Sequence, residues 1–155
     1  MKVTLILVGK TEEKWAKEGL AVYLKRLQHY LPFAVLELAA GSGKADKQQM
    51  KEQEGLQILK AAGNADRIFL LDDKGTHYTS EELAVFFQKQ MNGSVKHLVF
   101  AAGGAYGFSE AVYKKANGLI SLSKMTFTHQ MVRLIFTEQA YRAMTIIKGE
   151  KYHHS

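Results

Sequence analysis

The stretch 119–155 reads LISLSKMTFTHQMVRLIFTEQAYRAMTIIKGEKYHHS, and the fold turns on it. It opens with an apolar run, 119–122, of strand length. A polar bend, 123–130, follows. From about Met131 to Lys148 the apolar residues Val132, Ile135, Phe136, Ala140, Ala143, Met144 and Ile147 recur at helical spacing. Arg133, Glu138 and Arg142 interrupt or flank that stripe, Gly149 stops the helix, and Tyr152, His153 and His154 form a polar tail. A strand, a bend rich in polar side chains, a long helix and such a tail together read as a site-builder rather than a plain core element.

Upstream of this stretch, strand-like and helix-like segments alternate. Residues 2–8 read as a strand and 12–30 as a helix, with Thr11 as its N-cap and Glu12 and Glu13 favourable to the helix dipole. Pro32 separates that helix from a strand at 33–39. A polar helix at 46–62 ends at Gly63, and 67–71 is a short buried strand. The run Thr79-Ser80-Glu81-Glu82 is a capping box for a helix to about Met91, closed by Asn92-Gly93. A fourth strand spans 98–102, a glycine loop 103–107, a helix 109–116 and a fifth strand 119–122. Strands each followed by a helix predict an α/β fold, a largely parallel sheet with flanking helices, in a single domain over 1–155.

Composition supports an ordered chain with a sizeable core: 46% of the 155 residues are hydrophobic and only one is proline. Without cysteine there is no disulfide, thiol nucleophile or thiolate-bound metal, which is compatible with a cytoplasmic location. The apolar run 3–8 is too short for a secretory core or a membrane span, so no membrane partner is expected. A net charge of +6 suits a polyanionic partner such as nucleic acid, and equally a solvated lysine-rich surface.

Ligands of open α/β sheets bind beyond the carboxyl ends of the strands. Three ends stand out: Leu70-Leu71-Asp72-Asp73, Ala102-Gly103-Gly104 and Leu122-Ser123-Lys124-Met125. Gly103 and Gly104 suit a backbone that approaches a ligand closely, or simply a tight turn. Gly103-Gly104-x-x-Gly107 has the wrong spacing for a dinucleotide fingerprint, and Gly41-Ser42-Gly43-Lys44 lacks the outer residues of a phosphate loop. Adjacent His153 and His154 do not have metal-ligand spacing, so no metal is expected. His129 reads either as a helix-capping residue or as part of a site, and Glu138 with Arg142 as an ion pair on one helix face or as chemistry.

The run Leu122-Ser123-Lys124-Met125-Thr126-Phe127, with His129, Arg133, Glu138-Gln139, Tyr141-Arg142-Ala143, Tyr152-His153 and the glycine loop Gly103-Gly104-Ala105-Tyr106-Gly107, resembles the small SPOUT methyltransferases that modify a pseudouridine of large-subunit ribosomal RNA. The resemblance covers essentially the whole chain. One departure is Thr128, where many members carry proline, which predicts a looser turn before His129. The resemblance implies a SPOUT-type fold with a deep C-terminal trefoil knot, a topology that general rules of chain connection would not suggest. It also implies S-adenosyl-L-methionine as methyl donor, bound by Leu71, Gly103, Leu122, Ser123, Lys124, Met125, Thr126 and Phe127. The implied reaction is methylation of a pseudouridine N3 on assembled ribosomes by a homodimer. Arg142, Tyr152 and His153 would position substrate and handle its proton, with the base among them left open, while His129 and Glu138 support the site. The alternatives are a SPOUT enzyme acting on another RNA, such as transfer RNA, and an inactive ribosome-binding module.

Overall fold

The computed structural model describes residues 1–154. Its element order is β1 (Lys2–Val8), α1 (Lys14–Leu27), β2 (Phe33–Leu38), α2 (Lys47–Ala62), β3 (Arg67–His77), α3 (Ser80–Asn92), β4 (His97–Ala102), α4 (Glu110–Lys115), β5 (Gly118–Ser121) and α5 (His129–Ile147). The five strands pair in the order β2-β1-β4-β3-β5, every pairing parallel. This is the expected α/β architecture, with the crossover helices covering both faces of the sheet.

Alternation along the central strands divides the core in two. Val3, Leu5 and Leu7 of β1, with Leu98 and Phe100 of β4, pack beneath α1, α3 and α5. Ile6, Val8, Val99 and Ala101 point the other way, against Ile58 and Ala62 of α2 and Val112 of α4. On the first face α5 lies between α1 and α3. Small residues at the contact, Ala140 and Ala143, let it settle close to the sheet, and the Phe136 ring lies 4.6 Å from that of Phe100. At Gly19 of α1 an added Cβ would come within 2.7 Å of Leu134, so the two helices meet where a side chain is missing. The buried hydroxyls of Thr137 and Thr145 donate to the carbonyls of Arg133 and Arg142, which satisfies them inside the helix.

Three boundaries that bear on the site differ from the sequence expectation, two of them because a distant residue intervenes. Thr11 does not cap α1. It is buried, with its backbone N–H and hydroxyl both donating to the Glu37 carboxylate. The amides of Glu12 and Glu13 instead donate to Oε1 of Gln130, on α5, at 3.0 and 3.3 Å. β3 does not end at Leu71: after a bulge, Thr76 and His77 resume pairing with Ile120 and Ser121. The bulge is pinned at Gly75, where a Cβ would lie 2.5–2.6 Å from the backbone of Leu119 and Ile120. Finally, α5 begins at His129 rather than Met131. Thr128 is its N-cap, with its hydroxyl accepting from the Met131 N–H, so the turn expected to be loosened is a capped helix start. The capping box at Thr79 and Glu82 forms as expected.

Candidate active site

Because β3 and β5 are neighbours, the bulge of β3 and the chain leaving β5 face each other at the carboxyl edge of the sheet. Between them lies a cleft of about 170 Å3. Its walls bring together six of the eight sequence-predicted cofactor residues: Leu71, Leu122, Ser123, Met125, Thr126 and Phe127, with Val132 of α5 behind them. Gly103 and Lys124 are not part of that lining. Gly103 sits instead against Gly107 and Phe108, where a Cβ would have 3.3 Å.

Local hydrogen bonds shape the cleft. The Ser121 hydroxyl donates to the Ser123 carbonyl, and the Met125 N–H donates to the Ser123 hydroxyl, folding 121–125 into a tight turn. On the opposite wall Asp72 is held twice, by the Lys74 N–H at 2.9 Å and by the Tyr113 hydroxyl at 2.5 Å. Burial and that bond to Asp72 push the Tyr113 phenol up to about 12. Sequence reasoning noticed Asp72 only as part of a strand end and missed Tyr113, whose partner lies 41 positions away.

The second constellation forms where the tail folds back on α5. Glu138 Oε1 accepts from Arg142 Nη2 at 2.6 Å, from Arg142 Nε at 3.1 Å and from the Tyr152 hydroxyl at 2.9 Å. Arg142 Nη1 lies 3.2 Å from His153 Nδ1, and His153 Nε2 lies 2.7 Å from Glu81 of α3. A guanidinium can only donate, so Nδ1 accepts and the imidazole proton sits on Nε2, facing Glu81. Pairing with Glu138 raises the Arg142 pKa. Burial, then the bonds to Tyr23 and Glu138, raise that of Tyr152. Both groups therefore hold their protons at neutral pH. Tyr152 and His153 of the tail are thus docked and half-buried on their own chain, while Lys151 and His154 are exposed.

His129 does not join this cluster. It starts the helix that Arg142 stands on thirteen residues later, about 20 Å away along the axis, and it lines a different cavity with Gly104 and Ala105. Beside it Arg133, only 1% exposed, binds the β1 end: Nη1 donates to the Thr11 hydroxyl at 2.9 Å and to the Gly9 carbonyl, Nη2 to the Val8 carbonyl. Burial lowers its pKa, with the Glu37 carboxylate opposing. Among the described residues, no group of three or more His, Cys, Asp or Glu could hold a metal ion.

A family model described as "Predicted SPOUT methyltransferase" matches residues 1–153. Proteins named "Ribosomal RNA large subunit methyltransferase H" are similar along the entire chain. That of Cytophaga hutchinsonii is 52% identical, covering 99% of this chain and 100% of its own. That of Parabacteroides distasonis is 50% identical, covering 99% of each, and that of Geotalea uraniireducens 44%, covering 99% and 100%. Among solved structures, a methylase-family protein from Neisseria gonorrhoeae shares the fold at a TM-score of 0.53 and 12% identity, covering 99% of this chain and 86% of the other.

Proposed function

The chain belongs to the SPOUT methyltransferase family, and on that premise we propose that it transfers a methyl group from S-adenosylmethionine to N3 of a pseudouridine in large-subunit ribosomal RNA. The observation that carries the reading is the cleft between the β3 bulge and the turn after β5, into which the matched motif 122–127 folds.

The residues present fit the cofactor. Leu71, Leu122, Phe127 and Val132 offer apolar walls to a planar ring, and the turn at 121–125 brings its backbone polar groups to the same edge. At about 170 Å3 the cleft is smaller than the roughly 300–1,000 Å3 that encloses a whole ligand, so it suits the adenine end and leaves the methyl end accessible. S-adenosylmethionine supplies an already activated methyl group, so the protein's task is alignment and proton handling.

The imide N3 loses its proton and forms the new bond to the methyl carbon as the carbon–sulfur bond breaks. Arg142 stabilises the negative charge that develops on the imide. Arg142 and Tyr152 hold their protons; as the imide draws the Arg142 guanidinium away from His153 Nδ1, that nitrogen is freed to accept the N3 proton, with Tyr152 orienting the nucleobase. Arg142 lies ten residues beyond Val132 on α5, about 15 Å along the helix axis. One copy therefore does not bring its own cluster to its own cleft. A homodimer, in which the cluster of one subunit faces the cleft of the other, resolves that separation. The net charge of +6 favours an RNA partner without a separate binding domain. Among the described residues no helix is long and apolar enough to cross a membrane; the ribosomal substrate implies a cytoplasmic enzyme.

The deciding experiment is mass spectrometry of ribosomal RNA after incubating ribosomes with the protein and labelled cofactor. One labelled pseudouridine in the large subunit is expected. Label in bulk transfer RNA alone, or none, overturns the reading.

A further inference from the structure

The cleft and the Arg142 cluster leave one edge of the molecule unused, the amino edge, where the strands begin. Each crossover helix runs back against the strands and ends there. Three cations start or precede strands at this edge: Lys2 of β1, Arg67 of β3 and Lys96 just before β4. Their strands are neighbours in the order β1-β4-β3, so Lys2 and Arg67 stand two strand spacings apart, about 10 Å. Three more stand in the last turns of helices: Lys60 of α2, Lys89 of α3 and Lys115 of α4. All six residues are exposed, and none forms an ion pair with a described carboxylate.

Carboxylates do not balance them. Asp46, Asp72, Asp73, Glu81, Glu82 and Glu110 gather at the opposite edge, where strands end and helices begin. Asp66, beside Arg67, accepts at Oδ2 from the backbone N–H groups of Lys96 and His97, at 2.8 Å each. The crowding of like charge is felt locally: burial, then the Lys2 charge, lowers the His97 pKa, with Asp66 opposing. Helix dipoles account for part of the pattern, since a cation in a last turn offsets the partial negative charge there. They do not account for Lys2, Arg67 and Lys96, which lie outside the helices. Between the ends of α2 and α4 runs a groove of about 440 Å3, lined by Leu59, Gly63, Ile68, Lys114 and Lys115 among others. Apolar walls with two lysines suit the alternating sugars and phosphates of a nucleic-acid strand.

We propose that this amino edge docks the phosphate backbone of ribosomal RNA, at nucleotides other than the one that is methylated. The assignment rests on the RNA methylation proposed above and says where the positive charge of the chain is used. Arg67 and Leu71 lie four residues apart along β3, about 13 Å, so the surface is separate from the cofactor cleft. Contacts made there hold and orient the RNA without touching the methyl donor. Phosphate contacts carry no sequence information, so the edge contributes affinity and register, and selection of the base is left to the cluster.

The test is ribosome binding by co-sedimentation across a series of salt concentrations, with methylation kinetics on ribosomes and calorimetry of S-adenosylmethionine alongside. The triple reversal Lys2→Glu, Arg67→Glu and Lys96→Glu should lower ribosome affinity at least ~10-fold at about 0.1 M salt. It should raise KM to match, with kcat and cofactor affinity within about twofold of wild type. The slope of log affinity against log salt should become shallower by at least ~2, the mark of three lost phosphate contacts. The charge-conserving triple Lys2→Arg, Arg67→Lys and Lys96→Arg should bind as wild type. Unchanged affinity in the reversal, an equal loss in the charge-conserving variant, or a fall in cofactor affinity would overturn the assignment. A loss with an unchanged salt slope would point to a protein partner and overturn the assignment to RNA. Binding is read without methyl transfer. Wild-type protein that binds ribosomes but methylates nothing would therefore overturn the function proposed above, while the variants still decide the docking surface.

Discussion

Arg142 and Tyr152 share one oxygen: both donate to Oε1 of Glu138, at 2.6 and 2.9 Å, and the guanidinium lies 4.7 Å from the centre of the tyrosine ring. The tail is thereby tied to the last helix by side chains that do not line the cofactor cleft. Deleting residues 151–155 should leave S-adenosylmethionine affinity within about twofold of wild type while lowering methylation of ribosomes ~100-fold, the scale of lost proton handling. Arg142→Ala should do the same and also cost about 1–3 kcal/mol, because Glu138 loses its partner in a mostly buried position. Calorimetry and methyl incorporation, run on both variants, check this; full activity after truncation would remove the tail from the reaction.

The cleft depends on close approach of backbone at Gly75. Gly75→Ala drives a Cβ into Leu119 and Ile120 and should loosen the β3–β5 pairing, so cofactor affinity falls at least ~10-fold, a loss of about 1.4 kcal/mol. Gly43→Ala, whose Cβ meets nothing within 4 Å, should bind as wild type. Gly103→Val is intermediate, since its neighbours at 3.3 Å must yield slightly.

Arg133 holds the end of β1 through the buried Val8 carbonyl and Thr11 hydroxyl and the part-buried Gly9 carbonyl. Arg133→Met should destabilise the protein by about 3 kcal/mol, read as a lower midpoint in urea. An unchanged midpoint would show that water replaces the guanidinium at no cost.

Alkaline pH should weaken the fold partly through Tyr113. Its pKa is raised in the folded state to about 12 from an ordinary value near 10. The protonated phenol is therefore the form that stabilises; its contribution is complete below pH ~10 and is lost as pH rises toward 12. Thermal melts of Tyr113→Phe should fall less steeply between pH 9 and pH ~11.5 than those of wild type.

The proposed sharing of cluster and cleft between two subunits predicts a dimer. Light scattering should give a mass near twice 17.4 kDa at micromolar concentration. A monomer that methylates ribosomes at full rate would refute the shared site.

Periodicity revealed the five strands and five helices because each buries a regular stripe, and the motif 122–127 announced the cleft because its residues are contiguous. What stayed hidden depends on partners far along the chain. Thr11 looks like a cap until the buried Arg133 claims its hydroxyl. β3 seems to stop at Leu71 because the resumed pairing at Thr76 follows a bulge and is set by β5. Tyr113 sits on an otherwise ordinary helix, and only the folded chain brings it to the cleft. His129 shared a motif with the others, yet helix length alone separates it from Arg142.

Gln130 caps a helix that begins almost 120 positions before it. That bond makes the first helix wait for the last. During synthesis, the amides at 12–13, just ahead of α1, have no protein partner until α5 has been made and docked, so the entry to α1 stays loose while the rest of the chain emerges. Closing so long a loop is slow compared with forming local turns. In pulse-labelled refolding, those two amides should gain protection together with the amides of α5, and later than the middle of the helix they precede.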